Sequence, residues 1–155
     1  YLIIEYLTND YLNNFDSSSC YYEGIYFYST RGIRVFHVNS RLIKYAGTKN
    51  VFMNNNEYKL DEEVNYTTYA YSNTPSLSYE KNVPLYQLVS KKNEKLYGKR
   101  LASNNDLFVE NDIINSLTIS ASLKNNKFYD GSDFNYSIKI DSLTFNQATL
   151  TVNII

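Results

Sequence analysis

The chain has 155 residues and a formal net charge of −1, with 20% charged residues. A near-neutral chain has no global field to gather nucleic acid or an anionic membrane surface. It carries 17 Tyr, 8 Phe and no Trp beside one His, one Cys and one Met, too few ligands for the usual zinc sites and too few nucleophile–base partners for most triads.

This length corresponds to one domain, 1–155, and a chain of this size buries roughly 68–70% of its unfolded surface without metal or disulfide staples. A single cysteine, Cys20, makes no internal disulfide. The first residue is Tyr1 rather than Met, which reads as a processed product or an excised part of a larger chain. Abundant Asn, Lys, Tyr and Ile beside few Gly and Pro match the coding bias of an AT-rich genome. No apolar run approaches the ~20 residues that span a bilayer.

Along the chain, Leu2, Tyr6, Leu7, Tyr11 and Phe15 share a loose helical face, so a short N-terminal helix and an edge strand both fit residues 1–15. Asp16–Ser19 reads as a loop. Cys20–Ser29 and Ile33–Asn39 alternate around Thr30-Arg31-Gly32, the pattern of a β-hairpin with a three-residue loop. Arg41–Tyr45 and Val64–Tyr71 read as strands, with turns at Gly47–Asn50 and Asn54–Asn56, and Pro75 then breaks the ladder. Leu85–Val89 and Lys95–Ala102 predict a second hairpin around Lys91–Glu94. Ser116–Leu123 sets Leu117, Ile119, Ala121 and Leu123 on one strand face. Lys124–Lys127 and Asp130-Gly131-Ser132 are turns.

Phe134, Tyr136, Ile138 and Ile140 alternate, as do Leu150, Val152 and Ile154. Parity slips between Ile140 and Leu143, which places a bulge or turn at Asp141-Ser142. Seven or eight short strands without a long helix predict a mainly β fold, an antiparallel β-sandwich of the Ig-like or jelly-roll-like kind.

In the first hairpin, Ser29 opposite Ile33 sets His37 opposite Ile25 and leaves Cys20 roughly 17 Å away. That excludes a Cys–His dyad and gives His37 a core or rim place beside Val35 and Ile33. The other face gathers Tyr22, Tyr26, Tyr28, Arg34 and Phe36, residue types of interface hot spots, with Arg34 placed to stack on Tyr28. Tyr69 and Tyr71, with Tyr66, form a second aromatic patch. Lys91, Lys92, Lys95, Lys99 and Arg100 read as a charged hairpin that guards a sheet edge. Asp130-Gly131-Ser132-Asp133 lacks the spacing of a calcium loop, and no glycine-rich phosphate cradle occurs. No cofactor, metal or catalytic residue is expected.

These features predict a non-enzymatic assembly module of a virion, phage tail, fibre or cell-surface structure. Its partners are other protein subunits, like or unlike, and it neither binds nucleic acid nor spans a membrane. Thr149–Ile155 is the strand placed for β-augmentation. The alternative is a glycan-binding adhesion module that stacks sugars on exposed tyrosines. Both imply an extracellular, cell-surface or virion location, with the cytoplasm left open. An enzyme is the third class, and it needs two carboxylates about 5–9 Å apart in a cleft.

Overall fold

The structure is a computed structural model that describes residues 1–8, 20–22, 25–26, 28–39, 42–46, 49–52, 65–68, 84–96 and 101–155. For 20–22, 25–26, 42–46, 49–52 and 65–68 it describes the backbone path alone. The strands among these residues are β1 (Leu2–Leu7), β2 (Cys20–Tyr22), β3 (Ile25–Tyr26), β4 (Gly32–Val38), β5 (Leu42–Ala46), β6 (Lys49–Phe52), β7 (Asn65–Thr68), β8 (Tyr86–Val89), β9 (Ile113–Ile114), β10 (Tyr136–Leu143) and β11 (Ala148–Ile154). Helix is confined, among the described residues, to single 3₁₀ turns such as Asn104–Asp106 and Ser120–Ser122. The protein is mainly β. It is built from small antiparallel sheets that do not close: β1-β4-β8, β11-β10-β9, β6-β5-β7 and the pair β2-β3.

The chain divides into two compact units, Leu2–His37 with Leu88–Ile155, and Tyr1 with Val38–Gln87. In the second of these, β5 pairs with β6 (Ile43 opposite Phe52) and with β7 (Ile43 opposite Thr67). β5 and β7 fall on the stretches read as strands, whereas β6 was not expected and begins at Lys49, within the stretch expected to turn.

In the first unit, β1 pairs antiparallel with β4, from Leu2 opposite His37 to Leu7 opposite Gly32. Alternation then turns Leu2, Ile4 and Tyr6 with Ile33, Val35 and His37 to one face, and Ile3, Glu5, Arg34 and Phe36 to the other. The first face is the core face: Ile33 and Val35 join Val89, Phe108, Ile114, Ile119, Leu123, Phe134, Ile138 and Ile140 in one buried cluster. Of the two possibilities for the N-terminal residues, the strand forms over Leu2–Leu7. Residues 9–19 lie outside the described ones.

Three local expectations change. The ladder between Cys20–Ser29 and Ile33–Asn39 is not formed, because both edges of β4 are taken by β1 and β8. The β3 strand pairs instead with β2, with Cys20 opposite Tyr26. The second hairpin is also replaced: β8 joins β4, the chain turns after Ser90, and Lys95–Leu96 and Leu101–Ala102 are not strand. Ser116–Leu123 is a run of turns rather than a strand. There Asn115 Oδ1 accepts the backbone N–H groups of Leu117 and Thr118, both at 3.0 Å. Asn93 Oδ1 accepts the N–H of Ala121 at 2.7 Å, and its amide donates to Ser120 Oγ at 2.8 Å. Side-chain amides offer the backbone partners that a ladder would have supplied, leaving Ile119 and Leu123 buried while Leu117 points to solvent.

The C-terminal hairpin follows its pattern. The β10 and β11 strands pair from Tyr136 opposite Ile154 to Ile140 opposite Leu150, then shift register, with Ser142 opposite Thr149 and Leu143 opposite Ala148. The bulge at Asp141 resets the parity, so Leu143 returns to the core side with Ile138 and Ile140. Among the described residues asparagine supplies most of the left-handed positions, with Gly131 at φ 88° as the other, in a chain with only five glycines. Asn93, Asn111, Asn125 and Asn126 have φ between 53 and 71°. Asn125-Asn126 forms a tight two-residue turn, with Lys124 and Lys127 exchanging backbone hydrogen bonds at 2.9 and 3.0 Å. Such turns select Asn or Gly because both central residues take positive φ.

Candidate functional site

On the outer face of β4, Arg34 is held from three sides. Its guanidinium carbon lies 5.5 Å from the Tyr28 ring centroid and 5.3 Å from that of Phe36. Its Nε and Nη2 both donate to Glu5 Oε2 at 2.9 Å. The β1–β4 register sets Glu5 directly opposite Arg34, so the ion pair follows from the ladder. Tyr28 is 3% exposed and packs with Leu7 and Leu107 in a small second cluster. Arg34 and Phe36 are half-buried. The structure thus brings together Tyr28, Arg34 and Phe36 of the expected aromatic face, and adds Glu5. The backbones of Tyr22 and Tyr26 lie in β2 and β3, while Tyr69 and Tyr71 fall outside the described residues. Nothing in the sequence pointed to Glu5, whose role depends on a pairing between segments almost thirty residues apart.

On the inner face, His37 is 2% exposed and stacks on Tyr129, with centroids 5.2 Å apart and planes 5° apart. Its Nδ1 lies 2.8 Å from the Ser122 carbonyl oxygen, so the neutral ring donates there. Burial pushes the His37 pKa down from 6.5 to about 4, against the opposing pull of the Ser122 carbonyl. His37 thus lies in the core, one of the two places, core or rim, expected for it beside Val35 and Ile33. The Cys20 side chain lies outside the described ones.

A second polar node is Asp106, 1% exposed. Its Oδ1 accepts from Ser90 Oγ at 2.6 Å and its Oδ2 from the Ser103 N–H at 2.8 Å. These bonds tie the turn after β8 to the 3₁₀ turn that leads to Phe108. Lys91, from the expected basic hairpin, pairs with Asp112 at 2.7 Å, and Asp112 Oδ2 also accepts the Val109 N–H at 2.6 Å. Lys99 and Arg100 lie outside the described residues. Among the described residues no cluster of three or more His, Cys, Asp or Glu forms a metal site, and no helix is long and apolar enough to cross a membrane.

The third surface is β11, at the edge of its sheet. Leu150, Val152 and Ile154 lie opposite Ile140, Ile138 and Tyr136 and so share their face. Ile138 and Ile140 are buried and Leu150 packs partly against the core, but Val152 is 57% and Ile154 81% exposed. The apolar face of the sheet therefore runs on past the core that covers it. From Ala148 to Ile154 the strand has no charge or Pro, two of the features with which exposed edges are blunted. The one nearby charged pair, Lys139 and Asp141 at 3.4 Å, sits on β10, where Thr151 Oγ1 also donates to Asp141 Oδ2 at 2.6 Å. Thr151 and Lys139 hold the Asp141 carboxyl below its usual pKa.

Comparison with protein-family models, with characterised proteins and with solved structures gives no match to this chain.

Proposed function

We propose that this chain is a non-enzymatic assembly module that joins protein subunits through an exposed sheet edge, within a virion, phage tail, fibre or cell-surface structure. The observation that carries this is β11: an uncharged edge strand, β-branched or apolar but for Asn153, whose Val152 and Ile154 stand largely in solvent. An edge of this kind templates another strand, with main-chain hydrogen bonds for affinity and alternate side chains for selectivity. Its apolar face gains by being covered.

The supporting framework is a β-sandwich. Ile33, Val35 and Val89 of β1-β4-β8 belong to the same buried cluster as Ile114, Ile138 and Ile140 of β11-β10-β9, as two facing sheets do. The glycan-binding alternative draws less support from the aromatic face, since the buried Tyr28 ring already faces Arg34.

Light scattering across a wide concentration range tests the reading. The expected result is a mass that climbs above 18.1 kDa as concentration rises. A mass fixed at 18.1 kDa throughout, with no partner subunit able to raise it, would sink it.

A further inference from the structure

Resting on the assembly reading above, we infer that the occupant of the β11 edge is the β11 strand of a second copy, paired antiparallel across a two-fold axis at Val152. In an antiparallel pair, residues directly opposite share a face. With Val152 on the axis, Ile154 of each copy lies opposite Leu150 of the other, and Thr151 opposite Asn153. Apolar side chains thus meet apolar ones along one face and Thr meets Asn along the other. The most exposed apolar residue of the strand, Ile154 at 81%, is carried onto Leu150, which already packs against its own core.

Charge selects a like partner as well. A strand with charged side chains either repels its own copy or demands an opposite one, whereas β11 has none from Ala148 to Ile154. Lys139 and Asp141 satisfy each other one strand inward, so pairing brings no unmatched charge to the seam. The assembly also closes. The opposite edge of the three-stranded sheet is β9, only two residues long, too short to template another sheet. The product is therefore a six-stranded sheet of two copies rather than a fibre. Seven residues at about 3.4 Å each give a seam about 24 Å long. Such a seam is small beside a standard interface of roughly 1,600 Å², so the pair separates on dilution.

The test combines a cross-link with a charge. In a Cys20→Ser background, Val152→Cys places two thiols across the axis, with Cα atoms about 4.5–5.5 Å apart, within disulfide range. An added oxidant such as copper phenanthroline takes two electrons and two protons from the thiol pair to form the disulfide. The expected result is a covalent dimer that forms faster as protein concentration rises, while Cys placed at Thr144 gives several-fold less. Val152→Lys sets two ammonium groups against each other and should return the mass to 18.1 kDa at every concentration. Because Val152 is 57% exposed, the Lys variant keeps its fold, which its thermal melt checks. If mass climbs with concentration but Val152→Cys does not cross-link and Val152→Lys changes nothing, β11 self-pairing is wrong and assembly uses another surface. If mass never climbs, self-pairing is overturned together with self-assembly.

Discussion

Lowering pH should weaken this fold through His37 in a defined window. The folded-state pKa is about 4 and the ordinary value is 6.5. Above 6.5 both folded and unfolded chains hold a neutral ring, and the contribution is fully present. Between 6.5 and about 4 the unfolded chain takes up a proton that the folded chain refuses, so stability falls as pH falls, by about 1.4 kcal/mol per pH unit. Below about 4 both states are protonated and the loss levels off at about 3 kcal/mol, a large share of a typical net stability of roughly 5–15 kcal/mol. Asp130, whose carboxylate favours the charged ring, tempers this. Urea unfolding of the wild type and of His37→Gln at half-unit steps from pH 7.5 to 4 measures it. Carboxylates titrate in both proteins, so the difference between the two curves isolates His37. The gap should narrow by about 3 kcal/mol as pH falls to 4. Parallel curves over the whole range would refute the buried, neutral histidine.

Two further substitutions probe the frame around the site. Gly32→Ala puts a Cβ 2.7 Å from Leu107 Cβ and 3.3 Å from the Phe108 carbonyl oxygen. It should cost about 1–3 kcal/mol, and an unchanged melting temperature would contradict the close approach of these segments. Asp106→Asn replaces one acceptor oxygen with a donor that faces either the Ser90 hydroxyl or the Ser103 N–H. A loss of about 1–3 kcal/mol in urea unfolding is expected, and a neutral result would show that this carboxylate is not what fastens the two turns.

What was legible in the sequence follows the distance over which each structure is decided. The β10–β11 hairpin is local: its alternation fixes the faces, and the parity slip before Leu143 marks the bulge that the ladder contains. For the same reason alternation set Val35 and His37 on one face of β4 and Arg34 and Phe36 on the other, while the structure decides that the first of these is the buried face. Its partner was not. Two alternating segments joined by a short loop imply a hairpin, yet the edges of β4 go to β1 and β8, a competition between non-local pairings that leaves no local mark. Arg34 still meets Tyr28, though by a path other than the expected ladder. Ser116–Leu123 alternates like a strand, but Asn93 and Asn115 capture its backbone through their side chains. The open apolar end of β11 was hidden because alternation says which residues share a face, not where the core that covers that face stops.

Residue-resolved hydrogen exchange of β11 at low and high protein concentration distinguishes a free edge from a paired one. Every second amide from Thr149 to Ile154 points away from β10. These amides should exchange rapidly in dilute solution and become protected as concentration rises, while those facing β10 stay slow throughout. Outward amides that exchange at the same rate at every concentration would contradict the paired edge.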